Sequence, residues 1–313
     1  MTHARAYGLL FLVTVLWAGN FPLGKLGLAE LGPITLTAAR AALVAPLLVG
    51  IARLVEGPFP PLTGRDWRTF VVLSLTGLVG NTTVWYWGLK YTSPVSAGIL
   101  GAAAPVVVAV VAAVWLRDRL SPLNLLGIAL TMAAVLLTIA RGSLEVLRTL
   151  SINRGDLIIL GSQIAWVAYT LYSRVNRSQL GPVTIQAGAH VVSFAVLAPL
   201  ALVERPWEAL ARASWLGWAV IGYAMGPITL GHLWYYQGIR AVGAGRAAVF
   251  MNLIPFLVIA LSWLILGEAI RWYHAVGACV VIAGVVLATR RGPTAWRRAW
   301  GRAWTRPWAS RPP

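Results

Sequence analysis

Charged residues are scarce in this chain of 313 residues. They make up 11% of it, only nine are acidic, and 58% of the residues are hydrophobic, with a mean hydropathy of +0.74. A soluble domain carries about 25% charged residues. The apolar residues come in runs of about 20, the length of a helix that crosses a bilayer, and they lack the alternation of transmembrane β-strands. The sequence therefore excludes a soluble protein and predicts an all-α integral membrane protein with several spans.

The sequence also contains only one cysteine and no nucleotide-binding motif of the Walker A type. The one cysteine, Cys279, excludes an intramolecular disulfide and a thiol metal cluster. No Walker A sequence is present, so ATP hydrolysis by that motif is excluded, and no cofactor is expected. The net charge of +17 would suit nucleic acid, but the basic residues lie at the ends of the apolar runs and in the tail. The expected partners are therefore a small-molecule substrate and the lipid bilayer rather than nucleic acid, and a homodimer stays open.

Ten apolar runs are long enough to cross a membrane. The first is longer than the 7–15 residues of a typical signal-peptide core, so we expect it to be retained. Ser121 before Pro122 predicts a helix N-cap, and Gly155-Asp156 predicts a turn and a cap. The predicted spans are 7–28, 33–54, 69–89, 93–116, 122–140, 156–175, 182–203, 215–236, 246–267 and 272–290.

The distribution of Lys and Arg predicts the orientation of these spans. With the N-terminus in the cytoplasm, the cytoplasmic segments hold 17 Lys and Arg, the external segments hold seven, and Lys25 and Arg40 lie within spans. Positive residues are enriched on the cytoplasmic side of membrane proteins. We therefore expect a multi-pass protein of the cytoplasmic (inner or plasma) membrane with both termini in the cytoplasm.

The chain contains an internal repeat with an offset of 149 or 150 residues. Five spans form each copy, so we divide the chain into a first repeat at 1–140, a second at 141–292 and a tail at 293–313. Because five is an odd number, the second copy must cross the membrane in the opposite sense, as in secondary transporters with inverted repeats. The matching residues are Trp17 and Trp166, Lys25 and Arg174, Gly32-Pro33 and Gly181-Pro182, Tyr86 and Tyr236, Pro105 and Pro255, Asp118 and Glu268, and Gly127 and Gly277.

Three segments within this repeat carry a family resemblance. WAGNFPLGK in the first span, WLRDRL after Pro105 and LILGEAI after Pro255 resemble EamA-type permeases of the drug/metabolite transporter superfamily, over about residues 7–290. The resemblance implies ten helices, a cavity lined by spans one, three, four, six, eight and nine, and export of amino acids or other small metabolites. The related small multidrug exporters carry a glutamate deep in their first helix, where this chain has Asn20 and Lys25. That difference lowers the expectation of proton-coupled export of cationic drugs.

Polar and aromatic residues within the spans are the candidate substrate-binding residues, because polar groups in a membrane are costly and often functional. The alternative is that the polar ones only bond neighbouring helices together. His190 and Arg40 lie in spans that we expect to be peripheral, so they are left out. The candidates are Asn20, Asn81, Trp85, Trp166, Tyr169, His232, Tyr235 and Asn252.

Four charged residues near span ends form two candidate gates. Lys25 and Glu268 are predicted at the outer face, and their repeat partners Arg174 and Asp118 are predicted at the inner face. We expect each pair to close one side of the membrane. The alternatives are that Lys25 extends to the outer interface and that a neighbouring arginine neutralises Asp118.

The sequence thus predicts a secondary transporter, and it predicts no enzyme. A polytopic enzyme acting on lipids would need clustered acid, base or metal ligands at one membrane face, and a channel is the other alternative. In the tail, WRRAWGRAWTRPW places four tryptophans at intervals of four residues between arginines. This pattern predicts a helix lying on the anionic cytoplasmic leaflet, with a disordered basic tail as the alternative.

Overall fold

The computed structural model describes residues 3–104, 106–107, 110–111, 121–143, 145–146, 152–176, 178–242, 250–251 and 253–289. This part of the chain is all-helical and contains no strand. The helices are α1 His3–Glu30, α2 Pro33–Val55, α3 Gly64–Leu73, α4 Val84–Tyr91, α5 Pro94–Ala102, α6 Pro122–Ile139, α7 Arg154–Val175, α8 Pro182–Ala201, α9 Pro206–Arg212, α10 Trp215–Val242, α11 Ile254–Leu266 and α12 Trp272–Thr289.

Two further helical segments join these elements. A π-helix at Ser74–Thr83 makes α3 and α4 one continuous rod, and a 3₁₀ turn at Leu202–Glu204 extends α8. The helix α9 lies between the predicted spans 182–203 and 215–236. By length and composition, Arg5–Glu30, Pro33–Val55, Pro122–Ile139 and Pro182–Glu204 are apolar enough to cross a membrane.

Local capping explains where several helices begin. Ser121 accepts from the Asn124 backbone N–H, and Asn124 accepts from the Ser121 backbone, which confirms the predicted cap. The cap before α7 was predicted one turn too late: the side chain of Asn153 accepts from the Gly155 N–H at 2.7 Å. Asp156 is buried instead and accepts a hydrogen bond from the Thr92 hydroxyl.

The helices pack mainly across the two halves of the chain. The most extensive contacts pair α6 with α12, α2 with α8, α1 with α10, the α3–α4 rod with α7 and with α8, and α1 with α11. Glycines allow the closest of these approaches, as is common between membrane helices. A Cβ at Gly127 would collide with the α12 backbone at Ala288, and a Cβ at Gly284 would lie 2.7 Å from the Thr131 nitrogen. The two halves are therefore interleaved rather than separate domains.

Candidate functional site

Asn20 and Trp85 lie together between α1 and α4. The Tyr86 hydroxyl, which has no exposed surface, donates to Asn20 Oδ1 at 3.2 Å. Phe21 packs edge-on against Trp85, with ring centroids 4.9 Å apart. The α1–α4 interface thus combines a fixed polar group with aromatic surface, as small-molecule sites commonly do.

A second group of candidates lies where the π-helix meets α7. Asn81 donates from Nδ2 to the Ser162 carbonyl at 3.0 Å. Trp166 stacks on Tyr169 at 5.2 Å, and the Tyr169 hydroxyl accepts from Gln186 at 2.7 Å. A π-helical stretch inside an α-helix frequently marks a functional site. The amide of Asn81 is therefore used between helices, while its neighbours provide an aromatic pair.

Of the three remaining substrate-binding candidates, only Tyr235 has a described side-chain contact. Tyr235 of α10 packs against Trp17 of α1, with ring centroids 5.3 Å apart, next to Gly231. His232 and Arg174 lie in helices, but the structure does not describe their side chains. Asn252 and Asp118 are not among the described residues. The structure thus does not report on the predicted inner gate.

Lys25 contacts the end of α4 rather than a carboxylate. Its Nζ donates to the carbonyl oxygens of Leu89 at 2.7 Å, Lys90 at 3.1 Å and Thr92 at 2.7 Å. The last carbonyls of a helix have no partner within it and carry partial negative charge, so a cation stabilises them. In this conformation, Lys25 therefore caps the C-terminal end of α4.

Lys25 and Glu268 nevertheless line the same cavity, of about 570 Å³, with Arg141, Arg271 and His274 also in its wall. Among the described residues, the only ion pair within 4.0 Å is Arg205–Glu208. The charged groups of Lys25 and Glu268 are therefore more than 4.0 Å apart and attract each other only electrostatically. Burial raises the pKa of Glu268, while Ser93, the Val95 backbone and Lys25 act to lower it. One carboxyl oxygen of Glu268 is buried without a hydrogen bond in this part of the chain.

Two glutamates that the sequence did not single out join α2 and α8. Glu204, after α8, accepts from the backbone N–H groups of Ile34 and Thr35 at 3.2 and 2.7 Å and from the Thr35 hydroxyl at 2.8 Å. Glu56, after α2, accepts from Val183 and Thr184 at the start of α8. Each helix therefore ends in a carboxylate that caps the other, and the two helices run antiparallel.

Smaller polar contacts occur at both ends of the bundle in the same manner. At the end that holds Glu204, Glu30 accepts from the Ser214 N–H at 2.7 Å and from its hydroxyl at 2.6 Å, before α10. At the end that holds Glu56, Asp66 accepts from the Ser178 hydroxyl at 2.7 Å. Carboxylates thus tie the two halves of the chain together at each end, and the sequence signal for them was only their position at helix boundaries.

Comparison with known proteins agrees with a multi-pass helical transporter. The EamA-like transporter family matches residues 4–140 and again residues 153–290. The chain therefore belongs to the EamA-like transporter family, which confirms the resemblance seen in the sequence. A solved crystal structure with 19% sequence identity matches the fold with a TM-score of 0.59, covering 92% of this chain and 98% of that one.

Relatives with curated names are also transporters. The uncharacterized transporter YyaM of Bacillus subtilis is 29% identical, over 92% of this chain and 95% of its own length. An uncharacterized transporter of Archaeoglobus fulgidus is 28% identical, over 92% and 99%. A protein of Streptantibioticus cattleyicolor named a "probable terminal-alkyne amino-acid exporter" is 26% identical, over 93% and 95%. These names indicate transport rather than catalysis.

Proposed function

We propose that this protein is a secondary transporter that exports a small metabolite, such as an amino acid, across the cytoplasmic membrane by alternating access. The observation that carries the mechanism is the reciprocal capping of α2 and α8 by Glu204 and Glu56. These helices follow the matching Gly-Pro pairs at residues 32–33 and 181–182, and they run in opposite directions. This antiparallel relationship supports two inverted repeats of five helices, and the distribution of Lys and Arg supports both termini in the cytoplasm.

Inverted repeats suit alternating access for a simple reason. Two copies of one fold, placed in opposite senses, offer two equivalent packings that expose a central site to opposite sides. The interleaved packing of the halves means that a shift of one copy changes both ends of the bundle together. A ligand then moves the protein between the two packings only as far as its affinities for them differ.

The substrate site in this proposal lies between α1, the α3–α4 rod, α7, α10 and the segment around residue 252. It includes Asn20, Asn81, Trp85, Trp166, Tyr169, His232, Tyr235 and Asn252. The shared cavity of Lys25 and Glu268 supports a gate at the external side. Arg174 and Asp118 form the cytoplasmic gate by the symmetry of the repeat. The name of the Streptantibioticus relative supports an amino acid or a similar molecule as the substrate.

Flux measurements in proteoliposomes test this function. Purified protein is reconstituted, and the movement of a panel of labelled amino acids is measured with and without a pH gradient. We expect saturable flux that unlabelled substrate on the opposite side accelerates, because an alternating-access carrier returns faster when loaded. Ionic conductance without such acceleration would indicate a channel, and chemical conversion of the lipids would indicate an enzyme. The absence of flux for every labelled amino acid would contradict the proposed substrate class.

A further inference from the structure

Arg40 is partly buried and contacts a neighbouring helix, although the sequence suggested a peripheral position. Its guanidinium is beside the hydroxyl of Tyr86, which in turn donates to Asn20 at 3.2 Å. Tyr86 has no exposed surface, and the Nε atom of Arg40 is buried without a hydrogen-bond partner among the described residues. Since Arg40 is seven residues after Pro33, it lies about 10 Å along α2 from the start of that helix.

The charge of Arg40 has no counterion in the part of the chain that the structure describes. An arginine within a membrane span is costly, and such residues are usually paired or face a functional site. The neutral Tyr86 and Asn20 provide dipoles but not a compensating charge. The carboxylates with described contacts all lie elsewhere, at helix ends or beside them: Glu30, Glu56, Asp66, Asp156, Glu204, Glu208 and Glu268.

The cavity that Lys25 lines is formed in part by α1 and α4, the two helices that also carry Asn20 and Tyr86. Tyr86 is three residues before Leu89, whose carbonyl binds Lys25, so about 4.5 Å of helix separates them along α4. Lys25, Arg141 and Arg271 line the cavity with a single carboxylate, Glu268. The excess of positive charge in the cavity favours anions.

We propose that Arg40, held by Tyr86 and Asn20, binds the carboxylate of a small-molecule substrate during transport. This inference rests on the proposed transport function and names the chemical group that its site recognises. A planar guanidinium matches a carboxylate in geometry. The single positive charge of Arg40 matches a monoanionic carboxylate better than a dianionic phosphate monoester. The edge-on pair of Phe21 and Trp85 beside Tyr86 offers apolar surface for the rest of the molecule.

The test compares carboxylates with the corresponding amides, in which the carboxylate is replaced by an uncharged carboxamide group, on the purified protein. The probes are phenylacetate and phenylacetamide, leucine and leucinamide, and phenyl phosphate, each added to detergent-solubilised protein while the Tm is measured. A ligand that binds the folded state raises the Tm. We expect at least one carboxylate to raise the Tm of the wild type, with no comparable shift from its amide or from phenyl phosphate.

Variants then assign the effect to Arg40. Arg40→Met should weaken the binding of that carboxylate by about 30-fold or more, as for other buried charge pairs that lose one partner. Arg40→Lys should retain part of the shift, and Tyr86→Phe should reduce it. Arg53→Met is the matched control: it lies on the same helix, and its guanidinium packs over Phe59 at 5.3 Å, away from this group.

Three results would overturn the assignment. They are the absence of a Tm shift with every carboxylate, an equal shift with the matching amides or with phenyl phosphate, and an unchanged shift in Arg40→Met. The flux assay keeps this inference separate from the transport function. If the amide is transported as fast as the carboxylate, the protein is still a transporter, but Arg40 does not recognise the carboxylate. If a carboxylate shifts the Tm but no flux is measured, the proposed transport function is wrong.

Discussion

Glu56 and Glu204 cap each other's helices: each follows the end of one helix and binds the first backbone N–H groups of the other. Gly32 and Gly181 make room for them, because a Cβ at either glycine would overlap the bound carboxylate. The two contacts lie at opposite ends of the antiparallel pair α2–α8. The two carboxylates therefore hold this helix pair together at both of its ends.

The first prediction concerns these two carboxylates. Glu56→Gln and Glu204→Gln should each lower the free energy of unfolding by about 0.5–2 kcal/mol, because each removes a negative charge from a helix N-terminus. Thermal unfolding in detergent measures the effect, and the two variants should be similar. Glu208→Gln is the control, since its partly exposed pair with Arg205 is worth about 0.2–0.5 kcal/mol. A control as destabilised as the two variants would contradict the capping role.

The second prediction concerns the contact between α6 and α12. Gly127→Ala should destabilise the protein by about 1–3 kcal/mol, because the new methyl group meets backbone rather than a movable side chain. Gly161→Ala on α7 is the control, since a Cβ there has no atom within 4 Å. The measurement is the Tm of both variants. If Gly127→Ala is as stable as Gly161→Ala, the two helices do not approach as closely as described.

The third prediction concerns pH. Hydrogen bonds from Thr63 and then Ser178 lower the pKa of the Asp66 carboxyl, which lies before the predicted third span. A lowered pKa in the folded state stabilises the protein above the unfolded value of about 3.9, and this contribution is lost as the pH falls through the folded pKa. We expect the Tm of Asp66→Asn to fall less than that of the wild type below about pH 4. Identical profiles from pH 6 to pH 3 would show that Asp66 makes no such contribution.

The fourth prediction concerns Lys25 and Glu268. Lys25→Glu should impair transport, because it places a carboxylate against three carbonyl oxygens and beside a second carboxylate. Adding Glu268→Lys should restore part of the flux if the pair forms the external gate. Proteoliposome flux of the two single variants and the double variant gives the coupling between them.

The structure also sets a control for that experiment. Lys25→Arg keeps the positive charge at the end of α4, so it should transport better than Lys25→Ala. If the double variant is no better than the worse single one, or if Lys25→Ala transports normally, the pair is not a gate. In that case, the capping of α4 alone would explain why a lysine occupies position 25.

The helical membrane character of this protein was readable from its sequence, because run length and composition depend on neighbouring residues alone. The repeat offset was readable too, since it needs only a comparison of the chain with itself. Ser121 was predicted correctly as a cap because a capping residue acts within one turn. The cap of α7 was misplaced by a few residues, since Asp156 finds its partner in Thr92, on another helix.

Only the tertiary structure decided which side chains meet across the bundle. The carboxylates of Glu56 and Glu204 find their helix ends more than 120 residues away in the chain, because α2 and α8 pack side by side. Lys25 matched Arg174 by sequence, yet its partners are carbonyls that become available only where α4 ends. Arg40 was expected at the periphery, and the packing of α2 places it beside Tyr86. Spacing along the chain fixes the face of a helix, whereas the partner of that face depends on how distant helices pack.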